Sequence, residues 1–224
     1  MSFTAAEKKV RAVIFDLDGV ICDTEPLHIE SWHILFAREG IDVSDAELEA
    51  GIGITDLNLL EGIFAIHAIE ADPREWQQRK RTIYLSLLKK SVNEFHGATA
   101  LIRKLSARWH LAIASSAWRA AIEAITDRLG VRDYFSIIVG KEDVSAHKPS
   151  PEPFLAAADG LGIKPLHCAV IEDSPTGLQA AKAAGMRRIA VTNSFPATRL
   201  QDAELVVESL EETERIEAFL LGRI

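Results

Sequence analysis

The sequence predicts an α/β protein: a parallel sheet core with an inserted all-helical segment. Short apolar runs alternate with helical patterns through most of the chain, which is typical of a parallel sheet covered by helices on both faces. Six runs are predicted as strands, namely residues 11–15, 111–114, 137–139, 169–171, 189–191 and 205–207. Because ligands of such sheets bind at the carboxyl ends of the strands, polar residues at those positions are candidates for a site.

The segment from about residue 26 to residue 92 breaks this alternation, because it carries helical spacing and no strand-like run. Its apolar positions fall on two helical stripes, one formed by Ile29, Trp32, Leu35 and Phe36 and the other running through Trp76, Lys80, Ile83 and Leu87. We therefore predict two domains. Residues 1–25 and 93–224 form a Rossmann-like catalytic core, and residues 26–92 form a helical cap.

The composition limits the classes of partner. The chain of 224 residues carries a formal net charge of −8 and no run rich in Lys and Arg, so we expect no nucleic-acid partner. It has no stretch of 18 apolar residues, and residues 1–11 lack the apolar core of a signal peptide, so we expect no membrane association and a cytoplasmic protein. A monomer or weak homodimer is expected.

The two cysteines do not make a disulfide framework at this length. Cys168 lies in an apolar run and is expected to pack as a small hydrophobic residue. Cys22 lies close to the candidate site described below, so a reactive thiol stays open there, although simple packing is favoured.

Two carboxylates, Asp16 and Asp18, end the first predicted strand, and Gly19 allows a sharp turn directly after them. Side chains two apart in a strand share a face, and burying both carboxylates requires a cation or hydrogen-bond donors. A nucleophilic carboxylate, a neighbouring acid/base and a metal together are what aspartyl-phosphate chemistry needs. The alternative is an Asp-rich turn without chemistry.

Three further polar clusters follow predicted strands or turns. Ser115 and Ser116 end the strand 111–114, where hydroxyl and backbone N–H groups can hold phosphate oxygens or simply cap a helix. Lys148 lies in a proline-rich turn, either as a fixed positive charge for a phosphoryl group or as a solvated lysine. Glu172 and Asp173 end the strand 169–171, as ligands for Mg²⁺ or as acids favouring a helix N-terminus.

Taken together, these clusters supply a nucleophile, hydroxyls, a cation and metal ligands, and the chain resembles the haloacid dehalogenase-like superfamily with a helical cap after the first motif. The resemblance covers essentially the whole chain. It implies that Asp16 is the nucleophile, that Asp18 is the general acid/base, and that Ser115 and Lys148 bind the phosphoryl group. It also implies Mg²⁺ as the cofactor, held at a site that comprises Asp16, Asp18 through its backbone carbonyl, Glu172 and Asp173.

Within this superfamily, the second acid, Asp18, favours phosphoryl transfer, since halide-displacing members lack it. Phosphonate-cleaving relatives use a cap lysine that forms an imine, but the sequence around Lys80 gives no indication of a lowered pKa. The subgroup with beta-phosphoglucomutase and sugar-phosphate phosphatases is the most similar. The likeness to this subgroup implies substrate-binding roles for four residues, Thr24, His28, Lys80 and Ser116. Alternatively, His28 is an ordinary helix residue and Lys80 belongs to the solvated run 79–81.

The leading hypothesis is a magnesium-dependent phosphoric monoester hydrolase that acts on a small, sugar-phosphate-like metabolite through an aspartyl-phosphate. The alternatives are a beta-phosphoglucomutase-like phosphomutase and a non-catalytic binding protein with the same fold. The cap loop 51–56 argues against the mutase, because it lacks a basic residue for a second phosphate and contains the acidic Asp56.

Overall fold

The computed structural model describes residues 9–51 and 54–224. Residues 1–8 of the predicted core domain, and with them most of the segment examined for a signal peptide, lie outside the described residues. So do Ile52 and Gly53 of the loop 51–56.

The core is a six-stranded parallel sheet with the strand order β5-β4-β1-β6-β7-β8. Each of the six predicted strands is present: 205–207 has the predicted bounds, 11–15 is one residue shorter, and the other four are longer by one or two residues. Their bounds are Ala12–Phe15 (β1), His110–Ala114 (β4), Phe135–Val139 (β5), Cys168–Glu172 (β6), Arg187–Val191 (β7) and Leu205–Val207 (β8). A separate antiparallel pair, Cys22–Asp23 (β2) and Asn93–Glu94 (β3), joins the two ends of the core at the helical insertion.

In its described residues, the inserted segment contains four α-helices: Glu25–Arg38 (α1), Asp45–Glu49 (α2), Asp56–His67 (α3) and Pro73–Leu88 (α4). The first ends before Gly40, whose φ of +72° is the left-handed conformation that glycine adopts most readily. The buried side chains of these helices form one core, which includes Trp32, Phe36, Leu60 and Trp76. By their contacts, Thr24–Ser91 form one compact unit and the other described residues form a second.

Among the residues from 9 onward, five α-helices belong to the sheet-containing unit: Ala98–Ser106 (α5), Arg119–Arg128 (α6), Glu152–Gly160 (α7), Pro175–Ala183 (α8) and Thr213–Leu220 (α9). One face of β1 presents Ala12 and Ile14 to a core cluster that includes Phe154 of α7 and Ala180 of α8. The residues of the opposite face, Val13 and Phe15, are equally buried. A strand that is buried on both faces reads as a continuous apolar run, which is why β1 was visible in the sequence.

The predicted fold class, a Rossmann-like parallel sheet with an inserted all-helical cap, is confirmed. The domain boundaries at residues 25 and 92 stay a prediction. Cys168 packs in the sheet core as expected. Within residues 9–51 and 54–224, no helix has the length and apolar character needed to cross a membrane.

Candidate active site

The acidic residues meet where β1 and β6 end side by side. The register pairs Phe15 with Ile171, and the Asp16 N–H donates to the Ile171 carbonyl at 3.0 Å. Asp16 is therefore level with Glu172, the last residue of β6. After β1 the chain places β4 and β5 on one side and β6 on the other, so this is the switch point at which open parallel sheets bind ligands.

Lys148 is the cation that joins these acids. Its Nζ lies 2.8 Å from Asp16 Oδ1 and 2.8 Å from Glu172 Oε1, and its side chain is only 7% exposed. The interpretation of Lys148 as a solvated surface lysine is therefore wrong. Lys148 lies in the turn before α7, and its ammonium contacts both carboxylates. It is therefore a positive charge held at a fixed place at the edge of the sheet.

Glu172 has both carboxylate oxygens engaged by donors. While Oε1 accepts from Lys148, Oε2 accepts from the backbone N–H groups of Asp173 and Ser174 at 2.7 Å and from the Ser174 hydroxyl at 2.9 Å. Ser174 also caps α8 by accepting from the Gly177 N–H. Glu172 thus holds Lys148 in place and fixes the start of α8.

Asp16, Glu172 and Asp173 form a buried group whose carboxylate oxygens lie within 4.8 Å of one another. Among the described residues, only Asp16 Oδ1 is a buried side-chain oxygen or nitrogen without a well-aligned hydrogen bond; its contact with Lys148 is an ion pair at 2.8 Å. An oxygen-only set, with a buried carboxylate oxygen that has no well-aligned hydrogen bond, fits a hard divalent cation. Since Glu172 is saturated by donors, Asp16 and Asp173 are the members with ligand atoms to offer.

The turn after β1 is shaped around Asp173. Gly19 has a φ of +80°, and a Cβ built on it would lie 1.9 Å from Asp173 Oδ2. Asn193 Nδ2 donates to the Gly19 carbonyl at 2.8 Å, and Ser194 hydrogen-bonds the Asp173 side chain. Sequence reasoning missed Asn193 and Ser194; the one available signal was that they follow the carboxyl end of β7.

The crowding of carboxylates changes their acidity. Burial raises the pKa of Asp16 to about 7, against the lowering effect of Lys148. Burial, then Asp16 and Glu172, raise the pKa of Asp173 to about 8. Burial opposes ionisation of Glu172 as well, but Lys148 and the Ser174 donors outweigh it and lower its pKa. In Lys148, burial alone would lower the pKa, but Asp16 and Glu172 raise it, so the ammonium stays charged.

The second acid and the serine cluster lie on the loops beside this group. Asp18 follows β1 in a tight loop in which the Gly19 N–H donates to the Cys22 carbonyl at 3.0 Å. Ser115 directly follows β4, the other neighbour of β1; its buried Oγ accepts from the Ala117 N–H at 3.0 Å, whereas Ser116 is exposed. The hydroxyl of Ser115 therefore shapes the loop and retains its proton for donation.

Cys22 is not a reactive thiol. It is fully buried, and burial, followed by the charges of Asp18 and Asp16, raises its pKa well above the ordinary value for a thiol. A thiol that stays protonated is a poor nucleophile, so the packing interpretation of Cys22 is supported.

The cap residues His28 and Lys80 meet inside the helical unit. Lys80 Nζ lies 2.6 Å from His28 Nδ1 and 3.4 Å from both Asp56 oxygens, and the His28 ring stacks on Tyr84 with 4.1 Å between centroids. Thr24, also buried, precedes α1, and its carbonyl accepts from the N–H of His28 at 3.0 Å.

Two sequence-based interpretations of Lys80 are corrected here. It does not belong to a solvated run, because only 2% of its side chain is exposed. Its pKa is lowered by burial, against the raising effect of Asp56, although no shift could be read from the residues around it. The reason is that the helical stripe through Trp76 and Ile83 turns Lys80 inward, toward the Trp32 and Tyr84 rings.

Comparison with known proteins identifies the class. Residues 13–191 match the haloacid dehalogenase-like hydrolase family. The chain is 31% identical over 184 residues to the fructose-1-phosphate phosphatase of Escherichia coli (strain K12), covering 82% of this chain and 97% of the relative. It is 35% identical over 209 residues to the beta-phosphoglucomutase of Bacillus subtilis (strain 168), covering 88% and 89%. A solved beta-phosphoglucomutase from Clostridium difficile superposes with a TM-score of 0.76 at 29% identity, covering 96% and 98%.

The chain belongs to the haloacid dehalogenase-like hydrolase family. The predicted enzyme class, a phosphoric monoester hydrolase of this superfamily, is confirmed, and the resemblance to the subgroup with beta-phosphoglucomutase and sugar-phosphate phosphatases is confirmed with it.

Proposed function

We propose that this protein is a magnesium-dependent phosphatase that hydrolyses a small, sugar-phosphate-like monoester through an aspartyl-phosphate on Asp16. The observation that carries the proposal is the buried contact of Asp16 with Lys148, next to Asp173 and at the carboxyl ends of β1 and β6. This arrangement combines a carboxylate nucleophile with a fixed positive charge, which is what phosphoryl transfer needs.

Asp16, Asp173 and the backbone carbonyl of Asp18 are the groups that we expect to hold Mg²⁺, with Glu172 next to them. The fit rests on Asp16 Oδ1, which is buried without a well-aligned hydrogen bond, and on the oxygen-only donor set. When bound, the cation would neutralise negative charge on the phosphoryl oxygens. It would also offset the burial, and after it the repulsion between carboxylates, that raise the pKa values of Asp16 and Asp173.

Nucleophilic attack, proton transfer and phosphoryl binding are assigned to side chains of this protein. Asp16 attacks phosphorus as the bond from phosphorus to the ester oxygen breaks, and Asp18 gives its proton to that leaving oxygen. Asp18 then takes a proton from the water that attacks the Asp16-bound phosphoryl group, releasing phosphate and restoring the Asp16 carboxylate. Lys148, Ser115 and Ser116 bind the phosphoryl oxygens, and Glu172 keeps Lys148 in position.

In the cap, we assign substrate binding to Thr24, His28 and Lys80. Support comes from the contact of His28 with Lys80 and from the cavity that His28 lines in the same unit. The small-metabolite substrate agrees with the sugar phosphate in the name of the Escherichia coli relative.

A phosphomutase is the second candidate, favoured by the 35% identity to the beta-phosphoglucomutase of Bacillus subtilis. A mutase turns over a bisphosphate, so its cap needs positive charge for the phosphate that is not transferred. The loop 51–56 has no basic residue, which favours hydrolysis. A non-catalytic binding protein is disfavoured, because the two acids of the first motif, Lys148 and Asp173 are all retained.

The test is a time course of phosphate release from a panel of sugar phosphates, with Mg²⁺ and with a chelator. We expect release only with Mg²⁺ and complete loss in Asp16→Asn, since an amide cannot act as the nucleophile. A parallel incubation with beta-glucose 1-phosphate and a trace of glucose 1,6-bisphosphate tests the mutase. Fast appearance of glucose 6-phosphate with little free phosphate would overturn the hydrolase proposal.

A further inference from the structure

The loop that carries Ser115 and Ser116 is held by the turn that follows the neighbouring strand. We call residues 115–118, between β4 and α6, the serine loop, and residues 140–143, directly after β5, the β5 turn. Because β4 and β5 are adjacent parallel strands, the loop and the turn leave the same edge of the sheet side by side. The Ser115 N–H donates to the Val139 carbonyl at 3.0 Å, so the two segments start level with each other.

Backbone groups of the serine loop and of α6 are bound by the β5 turn. The Lys141 N–H donates to the Ala117 carbonyl at 2.8 Å, and the Ala117 N–H donates to Ser115 Oγ at 3.0 Å. Ala117 therefore connects the β5 turn to the Ser115 hydroxyl. The first N–H of α6, that of Arg119, donates to both carboxylate oxygens of Glu142, at 3.1 and 3.2 Å. The turn thus also caps the helix that follows the serine loop.

The side chain of Arg119 adds an ion pair to these backbone contacts. Its guanidinium donates to Asp143 Oδ2 at 2.6 Å and to the Ile138 carbonyl at 2.8 Å. The same Asp143 oxygen accepts from the Gly140 N–H at 2.7 Å, so one carboxylate binds both the turn and the first residue of α6. Burial raises the pKa of Asp143, but the Gly140 N–H and then Arg119 lower it below its ordinary value, so this carboxylate is ionised at neutral pH.

Gly140 permits the close approach of the β5 turn to α6. A Cβ built on Gly140 would lie 2.8 Å from the backbone nitrogen of Arg119 and 3.1 Å from its Cα. The φ of Gly140 is −102°, which any residue can adopt, so its backbone conformation does not require glycine. The separation between the β5 turn and the start of α6 is therefore fixed by packing as well as by hydrogen bonds.

We propose that Arg119 is a positioning residue: through Asp143 and the β5 turn it holds the serine loop, and with it the Ser115 hydroxyl, in the place where that hydroxyl binds the phosphoryl group. The inference rests on the proposed function, which gives Ser115 this role. The Arg119 side chain is 38% exposed, and ion pairs at such exposure add little to stability. The position of a group that contacts the reacting atoms matters far more, because a displacement of about 1 Å can lower a rate about 100-fold. Loss of Arg119 should therefore affect turnover much more than folding.

The first experiment is a double-mutant cycle measured by phosphate release from the sugar phosphate that the panel identifies. Arg119→Met keeps the aliphatic stem and removes the guanidinium. Arg128→Met is the matched control, since Arg128 is an exposed arginine in the last turn of the same helix. We expect Arg119→Met to lower kcat/KM by at least about tenfold and Arg128→Met to leave it unchanged. In the Ser115→Ala background, Arg119→Met should lower kcat/KM by less than about twofold, because the hydroxyl through which it acts is absent.

Amide hydrogen exchange of the protein without ligand tests the contact itself. Arg119→Met should speed exchange in the peptide that covers residues 115–119, while exchange in β7, on the other side of β1, stays unchanged. Asp143→Ala removes the same ion pair from the other side, and Gly140→Ala separates the two segments without removing a charge, so both should have the same effect. Thermal melts establish that each variant is folded, and these two variants repeat the test if Arg119→Met does not fold.

Three results would overturn the inference: an unchanged kcat/KM in Arg119→Met, an equal loss of kcat/KM with and without the Ser115 hydroxyl, or unchanged exchange of residues 115–119. Phosphate release by the unmodified protein is recorded in parallel. If exchange rises as expected but no phosphomonoester is hydrolysed, the proposed function fails and the control of the serine loop by Arg119 stands. If phosphate is released but exchange is unchanged, the inference alone fails.

Discussion

Asp16 and Asp18 differ in their surroundings although only one residue separates them. Asp16 is buried against Lys148, and its pKa is raised to about 7, first by burial. Asp18 lies on the loop that turns at Gly19 and is partly exposed. A buried carboxylate fixed by a cation is suited to attack phosphorus, whereas an acid on the loop can reach the leaving oxygen and then water. The two proposed roles follow from this difference.

The role of Asp18 predicts that the rate loss in Asp18→Asn depends on the leaving group. A poor leaving group, the alkoxide of a sugar phosphate, needs a proton and should lose about 10²–10⁴-fold in rate. A good leaving group such as 4-nitrophenolate should lose far less in the first step. The measurement is steady-state and burst-phase release from both substrates, with Asp127→Asn, an exposed acid of α6, as the control. An equal loss with both leaving groups in the burst phase would refute the acid role.

At the residue scale, the polar residues that end strands could be identified from the sequence. The residues that hydrogen-bond with them could not. Asp16, Glu172 and Asp173 were visible because each follows an apolar run. Glu172 was predicted as part of the metal site, but its oxygens are occupied by Lys148, Ser174 and backbone donors, which only the fold reveals. Asn193 and Ser194 follow an equally clear strand but are common residue types in loops, so nothing in their chemistry marked them.

At the scale of elements, the start of α8 is the structural support of the site. Glu172 binds the first N–H groups of the turn through Oε2, and Ser174 caps the helix through the Gly177 N–H. Gly177 is required because a Cβ there would lie 1.6 Å from Glu172 Oε1. The oxygen cannot easily retreat, since Lys148 and Ser174 both hold that carboxylate.

We therefore predict that Gly177→Ala is destabilising and inactivating, although alanine normally favours a helix. Overpacking should lower the free energy of unfolding by about 1–3 kcal/mol, and displacement of Glu172 should lower kcat by at least about tenfold through Lys148. The matched control is Gly62→Ala in α3, where a Cβ meets nothing within 4 Å. It should stabilise the protein by about 0.5–1 kcal/mol. Chemical denaturation and phosphate release test both, and an active, stable Gly177→Ala would contradict the assignment.

The elements themselves were predicted well wherever they carry a full period of apolar residues. All six sheet strands and the long cap helices α1 and α4 have such patterns. The antiparallel pair of β2 and β3 was not predicted. Each of these strands has only two residues, which is too short to show a periodic pattern of apolar residues. Lys80 was placed on the correct stripe of α4. Its burial depends on packing against α1 and α3, which could not be inferred from its charged neighbours Arg79 and Arg81.

For the whole molecule, the feature that matters is a group of four acids at the edge of the sheet where we expect the cation to bind. Asp16, Asp18, Glu172 and Asp173 lie at one edge of the sheet with Lys148, in a chain with a net charge of −8. Without a cation, this edge is more stable when Asp16 and Asp173 are protonated. The stability of the whole fold should therefore report on the metal site.

This predicts a specific pH dependence. The pKa values of Asp16 and Asp173 are raised to about 7 and about 8 from an ordinary value of 3.8, so between pH 3.8 and about 8 the folded state binds more protons than the unfolded state. The free energy of unfolding of the metal-free protein should therefore fall as pH rises through this window. Glu172, whose pKa is lowered, acts in the opposite sense only near and below its ordinary 4.5. His28, whose pKa is lowered first by burial from 6.5 to about 3, also acts in the opposite sense below about pH 6.5, but the two raised carboxylates outweigh this one group. Mg²⁺ binds the ionised carboxylates, so its stabilising effect should grow with pH.

The measurement is thermal unfolding at about pH 5.5 and about pH 8, with a chelator and with Mg²⁺. Asp173→Asn should reduce both the pH dependence and the shift in Tm caused by Mg²⁺. Asp159→Asn, an exposed acid on α7, should leave both unchanged. A metal-free Tm that rises with pH across this range, or a Mg²⁺ effect that is the same at both values, would show that the acidic group is not the cation site.

The proposed mechanism requires that the phosphoryl group is transferred to Asp16. Trapping the aspartyl-phosphate tests this most directly. The protein is mixed with Mg²⁺ and a substrate identified from the sugar phosphate panel, quenched in acid within one turnover, digested and examined by mass spectrometry. We predict one added phosphoryl group on the peptide that contains Asp16 and none in Asp16→Asn. With 4-nitrophenyl phosphate, whose leaving group needs no proton, Asp18→Asn should accumulate more of this peptide, because water attack is slowed. Turnover of the unmodified protein with no phosphorylated peptide, together with phosphate release by Asp16→Asn, would contradict the account.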